Sequence, residues 1–193
     1  MAGSRLRFGG VPAGIVVAIL LSLSCLLGAR AFGQQDVHVT LVPIATRVAA
    51  PDFNLVDATG KPVALSTYKG TVVLLNFWAT ACGGCVLEIP YFVALQSELK
   101  GKGFTVVGIS MDMSYEKLKS ADDAWGSVRP FVAQHKMDYP ILMGDSSLLE
   151  AYKLNFLPMT YLIDRSGKTA AVYGGVVSKD DVEANLKTLL AER

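Results

Sequence analysis

The sequence predicts an α/β domain with a central mixed sheet flanked by helices. Three observations carry that expectation. Residues 72–77 and 104–109 are continuous apolar runs, with the length and branched content of strands buried on both faces. Each is followed by a stretch of helical character, the alternation that lays parallel strands side by side with helices over them. The chain then closes on strand, turn, strand and helix, which implies an antiparallel pair at one edge.

The chain has 193 residues, and the first 31 read as a targeting segment rather than as part of the fold. Arg5 and Arg7 precede an uncharged apolar run over residues 11–29, and Ala29-Arg30-Ala31 offers a small-x-small site for cleavage before Phe32. A retained membrane anchor is the alternative. A helical span needs about 20 apolar residues, and this run falls just short, weakened further by Pro12, Gly14, Ser22 and Ser24. Lipid attachment at Cys25 fits less well, because Ser22 stands where such signals carry leucine. Cleaved or retained, the segment places the folded part outside the cytoplasmic membrane, where dithiols meet an oxidising environment unless something reduces them.

Residues 32–48 read as a tether in which Val37, Val39 and Leu41 alternate like a short edge strand before Pro43. One domain, residues 49–193, accounts for the rest. Residues 53–55 and 63–65 flank Thr59-Gly60-Lys61-Pro62 and read as a hairpin. After the buried run 72–77 a helix is expected over residues 83–100, kinked by Pro90. The second buried run is followed by a polar, largely helical stretch, residues 114–137, which Pro130 should interrupt or restart. Residues 140–143 are short and apolar, 147–153 helical, 159–163 a strand, 164–167 a turn and 169–173 a further strand. Ser178, with Asp181 three residues on, resembles an N-cap entering a last helix that ends near Ala191.

Composition excludes several function classes. The chain is 51% hydrophobic and 18% charged, so it is neither disordered nor fibrous. Arg5, Arg7 and Arg30 are three of its 18 basic residues, whereas all 17 acidic residues lie beyond Ala31, leaving a net charge of about −2 on the remainder. That mixed balance offers nothing to nucleic acid.

The segment Phe77-Trp78-Ala79-Thr80-Ala81-Cys82-Gly83-Gly84-Cys85 lies where a buried strand passes into a helix. Cysteines at this spacing can bond to each other, and a helix amino end supplies free N–H groups and positive dipole to a thiolate. Cys82, at the start, is expected to be exposed and nucleophilic, and Cys85, one turn in, to be the more buried, resolving thiol. A zinc site would need four ligands, yet His38 and His135 are the only histidines and neither is near the pair in sequence. An iron–sulfur cluster lacks ligands for the same reason. No cofactor or metal is therefore expected. A purely structural disulfide is the plain alternative, although such bridges usually join distant segments. Glu88 follows Cys85 by three residues, so the two are neighbours on a helix. If buried, its raised pKa would let it take a proton from Cys85; if not, it is a solvated helix-face carboxylate.

The run from Asn76 through Cys82 and Cys85 to Pro90 resembles the active-site segment of TlpA-like extracytoplasmic thioredoxins, whose domain is of the redoxin, AhpC/TSA-like kind. Ala50-Pro51-Asp52-Phe53 resembles that family's entry strand, Leu157-Pro158-Met159-Thr160 its cis-proline strand, and Gly174-Gly175 the glycine near its active surface. The likeness covers residues 49–191. It implies a thioredoxin-like fold with an inserted segment before the cis-proline strand, in which Trp125, Phe131 and Tyr139 serve as packing. It implies that Cys82 and Cys85 form a redox-active disulfide, that Glu88 assists Cys85, and that Pro158 is cis, where the bare sequence would suggest an ordinary trans turn proline. Trp78, Leu157 and Pro158 would contact substrate, though Trp78 serves equally well as a buried aromatic anchor.

The implied activity is extracytoplasmic thiol-disulfide exchange through the Cys-Gly-Gly-Cys dithiol, reducing exported proteins such as apocytochrome c and recharged by a membrane thiol donor. Two departures stand out. Ala81 replaces a second tryptophan usual in relatives, which weakens docking against the first cysteine. Gly84 replaces a common proline, which leaves the loop less rigid and the potential open. Two rivals remain. A thiol peroxidase of peroxiredoxin type would carry Pro-x-x-x-Thr-x-x-Cys, whereas here Thr80 precedes Cys82 by two residues. A copper-delivery module would use the dithiol with Met111, Met113 or Met159, residues that more often fill cores.

Overall fold

The computed structural model describes residues 38–192. The expected targeting segment, Cys25 and the first part of the tether lie outside these residues. Among the described residues no helix is long and apolar enough to cross a membrane.

A hairpin, β1 (Asn54–Asp57) and β2 (Pro62–Ala64), opens the domain and is followed by a 3-10 turn, Leu65–Tyr68. Then come β3 (Val72–Trp78), α1 (Gly83–Leu99), β4 (Phe104–Ser110), the short α2 (Asp112–Tyr115), α3 (Ala121–Gln134), β5 (Ile141–Met143), α4 (Ser147–Ala151), β6 (Met159–Ile163), β7 (Thr169–Gly174) and α5 (Lys179–Ala191). Seven strands form one sheet in the order β2-β1-β5-β4-β3-β6-β7. The β3/β4 and β4/β5 pairs are parallel, while β6 and β7 extend the sheet antiparallel from β3 and the hairpin extends it antiparallel from β5. This is the mixed, helix-flanked α/β sheet that the sequence predicts.

Strand pleating sorts the core into two layers, because successive side chains point to opposite faces. Val72, Leu74 and Trp78 join Ile89 and Phe92 of α1, Trp125 and Val128 of α3 and Leu186 and Leu189 of α5. Val73, Leu75 and Phe77 point the other way, onto the hairpin, Leu148 of α4 and the Tyr152 and Tyr161 rings. Asn76 falls on the α1 face by the same alternation, in register with Gly108 of β4 and Thr160 of β6.

Two expectations are corrected, and a third, Ser178 as the N-cap of a last helix to Ala191, holds in position but not in its capping bond. The described part of the tether forms no edge strand. Asp181 accepts the Val39 N–H (3.1 Å) and the Asn185 amide donates to the Val39 carbonyl (2.7 Å), so side chains of α5 take the groups a ladder would need. On either side of a 3-10 turn, Ile44–Thr46, the chain meets β7 and the residue before it only at intervals, through Val42 N–H to the Ala170 carbonyl (2.8 Å), Thr169 N–H to the Val48 carbonyl (2.9 Å) and the Ala49–Lys168 bridge. Pro130 lies inside α3 without ending it. It is exposed, as is Gly126 one turn earlier, so water can take the carbonyl that Pro130 cannot serve. Ser178 holds the N-cap position of α5 with no side-chain capping bond, and Asp181 faces residues 38 and 39 instead.

Candidate active site

Seven buried residues of β3 deliver the chain to the carboxyl edge of the sheet, where it turns through Ala79-Thr80-Ala81 into α1. Cys82 is the N-cap residue of that helix. Its sulfur accepts the Cys85 N–H (3.3 Å) and its carbonyl accepts the Val86 N–H (3.2 Å). Cys82 and Cys85 are joined as a disulfide, with Cα atoms 5.3 Å apart. A sulfur at an N-cap receives an N–H that no helical carbonyl can satisfy, the arrangement that stabilises a thiolate once the bond is reduced.

The expected order of exposure holds, but its size differs. Cys85 is 1% exposed and Cys82 only 7%. In the oxidised state the Cys82 sulfur is therefore recessed, with the exposed residues Ala81 and Gly83 on either side of it.

Facing α1 is the segment before β6. The Leu157–Pro158 peptide is cis. A Cβ on Gly84 would stand 3.3 Å from Cδ of Pro158 and 3.4 Å from Cγ2 of Val176, so the glycine between the cysteines lies directly under the proline ring. Gly83, by contrast, faces open space. Gly175, at φ +82°, donates its N–H to the Pro158 carbonyl (2.9 Å) and ties the end of β7 to the same loop. Pro158 is buried, Leu157 is half-buried, and Leu157 borders a groove of about 250 Å³ walled by Tyr115, Leu149 and Phe156.

Glu88 lies one helical turn beyond Cys85 and is 2% exposed. Its Oε1 accepts the Val177 N–H (2.7 Å) and its Oε2 the Asn76 amide (3.4 Å), while Asn76 also donates to Thr160 Oγ1 (3.0 Å). Among the described residues no cation touches the carboxyl. Burial therefore dominates, and it pushes Glu88 up from an ordinary 4.5 to about 7 against the weaker pull of Val177 and Asn76. The carboxyl of Glu88 is thus half-ionised near neutrality, where it can accept a proton and return it.

Trp78 does not line this surface. It is fully buried, with its ring stacked on Phe131 at a centroid distance of 5.2 Å, and Phe131 stacks in turn on His135. The pleat explains the correction: Trp78 is on the α1 face of β3 and runs under the helices rather than outward. His38 bonds Asp181 at the far edge of α5, so neither histidine joins the cysteines. Met111 and Met159 are core residues, and among the described residues no three His, Cys, Asp or Glu side chains converge as a metal site.

The sequence reading missed Asp112. It is wholly buried at the end of β4 and accepts bonds from the Thr80 N–H (3.0 Å), the Thr80 hydroxyl and the Ser110 hydroxyl (2.7 Å). A carboxylate directly after a buried strand, Ser110-Met111-Asp112, is the signal that could have found it.

Comparison with known proteins bears on the family and the fold. The model of the AhpC/TSA family matches residues 46–183. The thiol-disulfide oxidoreductase ResA of Geobacillus kaustophilus is 32% identical over 173 residues, which cover 89% of this chain and 92% of that protein. ResA of Bacillus subtilis is 32% identical over 166 residues, 86% of each chain. A crystal structure of a putative thiol:disulfide interchange protein DsbE from Chlorobium tepidum superposes with a TM-score of 0.65 at 30% identity, covering 75% of this chain and 97% of that one.

Proposed function

The chain belongs to the AhpC/TSA family and is a thioredoxin-like thiol-disulfide oxidoreductase, and from that premise we propose that Cys82 and Cys85 are its working dithiol, with Glu88 as their proton acceptor. The observation that carries this reading is the disulfide at the amino end of α1 with an uncharged-neighbour carboxyl buried one turn below it.

In the reduced enzyme the Cys82 thiolate attacks one sulfur of a client disulfide. The client S–S bond breaks, a Cys82–client mixed disulfide forms, and the other client sulfur leaves as a thiolate that takes a proton from solvent. Glu88 then receives the Cys85 proton, the Cys85 thiolate attacks the Cys82 sulfur, and the second client sulfur departs. The client gains two electrons and the enzyme is left as the Cys82–Cys85 disulfide. Leu157 offers backbone to an extended client segment beside Cys82, Pro158 packs over Gly84 to hold that loop in place, and the groove next to Leu157 gives the client's side chains somewhere to lie. Trp78 supports the floor of the site from below.

The amino-terminal segment points to work outside the cytoplasmic membrane, on exported proteins with disulfides, apocytochrome c among them. A membrane thiol protein is the matching electron donor, because the oxidised dithiol must be reduced again. Two measurements test the assignment. In the reduced protein Cys82 should be alkylated first, and Cys85→Ser should accumulate mixed disulfides that Cys82→Ser cannot form. Preferential alkylation of Cys85, or trapping by Cys82→Ser, would overturn it. Equilibration with glutathione fixes the potential and with it the direction of electron flow.

A further inference from the structure

We propose that Asp112 is a positioning residue for Cys82: it holds the turn that presents the sulfur, and its negative charge opposes the thiolate that the helix amino end favours. The proposal rests on Cys82 being the attacking thiol.

The placement comes from three elements meeting at one carboxyl. Thr80, between β3 and α1, gives both its N–H and its hydroxyl to Asp112, and Ser110 at the end of β4 gives its hydroxyl to the other oxygen (2.7 Å). The Met111 N–H meanwhile donates to the Trp78 carbonyl (2.7 Å), so the chain on both sides of the turn is fastened to the end of β4. The turn then closes on itself, with Cys82 N–H donating to the Ala79 carbonyl (3.2 Å). These contacts fix the backbone that leads to the N-cap sulfur.

Three donors converging on oxygens of a wholly buried group are what an ionised carboxylate requires, since it can only accept. Among the described residues that carboxylate makes no ion pair; the ion pairs join His38 to Asp181 and Arg47 to Asp164 and Glu192. Its charge therefore reaches its surroundings unneutralised. The carboxylate is one hydrogen bond (3.0 Å) from Thr80, which is two residues, at most about 7 Å of backbone, from Cys82, so charge and N-cap residue are about 10 Å apart along this path. A fixed negative charge at such range disfavours a second one on sulfur, and the low-dielectric interior strengthens the effect. Helix amino end and carboxylate thus act on Cys82 with opposite signs, and a dithiol whose thiolate is held back in this way gives up its electrons more readily. Among the described residues Glu88 on α1 and Tyr139 ahead of β5 are buried titratable groups on the same face of the sheet, and neither bonds Asp112.

The test is the pH dependence of Cys82 alkylation in the reduced, full-length protein, together with its equilibrium against glutathione. Asp112→Asn keeps an acceptor for Thr80 but removes the charge. It should lower the alkylation midpoint by about one pH unit and make the dithiol about tenfold more oxidising in its equilibrium constant, as expected for a charge at this range and intermediate dielectric. Thr80→Val keeps the charge but removes one of its donors, and should raise the midpoint. An unchanged midpoint in folded Asp112→Asn would overturn the proposal, as would Thr80→Val lowering it, since loop geometry alone would then account for both. If Asp112→Asn does not fold, Thr80→Val decides the matter by itself, an unchanged or lowered midpoint counting against the charge. Failure of the underlying dithiol reading looks different, because Cys85 rather than Cys82 would then be alkylated first in the unsubstituted protein.

Discussion

Two buried carboxyls stand at opposite ends of β6 and titrate in opposite directions. Glu88, packed behind Thr160 at the start of the strand, is 2% exposed, and Asp164, just past its end, is 8% exposed. Burial is the largest influence on both and favours the neutral acid in each. At Asp164 it is outweighed, because the Ser166 hydroxyl, the Lys168 N–H and the Arg47 guanidinium all donate to the ionised form, and the pKa falls below its ordinary value. At Glu88 a backbone N–H and an amide are the only donors among the described residues, and burial prevails. Burial alone therefore does not tell a functional acid from a structural one. Whether a cation and enough donors come with it does.

The largest effect is expected at the structural end. Arg47 is itself buried and links the Val42 carbonyl, Asp164 and, through two nitrogens, Glu192 (2.6 and 2.8 Å), tying the amino-terminal segment, the β6–β7 turn and the end of α5 together. Arg47→Ala leaves Asp164 without its cation and should cost about 3 kcal/mol in urea unfolding at pH 7, with exchange activity per folded molecule unchanged. The sign of the pH dependence follows from the lowered pKa. Asp164 contributes stability above its ordinary 3.8 that is lost as pH falls through its folded value, so this acid-side loss should shrink in Arg47→Ala. An Arg47 variant as stable as the parent would dissolve the contrast.

Glu88 should behave in the reverse sense. The unfolded chain releases this proton near 4.5 and the folded one near 7, so stability is complete below 4.5 and declines as pH rises to 7, by about 3 kcal/mol in all. Glu88→Gln retains the shape and abolishes that slope. It should match the parent at pH 4 and exceed it by up to about 3 kcal/mol at pH 8, while the resolving step slows about 100-fold near neutrality. A variant that gains no stability at pH 8, or that keeps full activity, would return Glu88 to the structural class.

Which parts were legible follows the same division. The buried strands, the hairpin and the Cys82–Cys85 pair could be read because apolar runs, turn residues and cysteine spacing are local signals. The place of Glu88 beside Cys85 could be read from helical spacing, but its burial depended on Asn76 and Val177, distant in sequence. Trp78 and Asp112 were misjudged or missed because the pleat of β3 and the meeting of β3 with β4 decide where they point. The edge strand failed for a related reason: alternation in residues 37–41 is genuine, yet Asp181 and Asn185 of α5 claim the Val39 backbone. Pro130 was overweighted because its cost depends on whether the carbonyl one turn back is wet, which sequence does not state.

A fourth buried carboxyl, Asp181, gives the finest test. Its partners are the Val39 N–H (3.1 Å) and His38 (3.2 Å), both from the amino-terminal segment, so it resembles Asp164 in role with a far more exposed side-chain partner. Asp181→Ala should cost about 1 to 2 kcal/mol, the price of leaving a part-buried N–H unpaired. Ser178→Ala, three residues earlier at the N-cap of the same helix, should cost less than about 0.5 kcal/mol, because its side chain caps nothing here although serine at that position commonly contributes about 1 kcal/mol. Thermal unfolding of the two variants ranks them directly. If Ser178→Ala proved the more damaging, Asp181 would be capping its own helix rather than clasping the segment in front of it, and the division between carboxyls that fasten the fold and the one proposed to handle protons would rest on Asp164 and Glu88 alone.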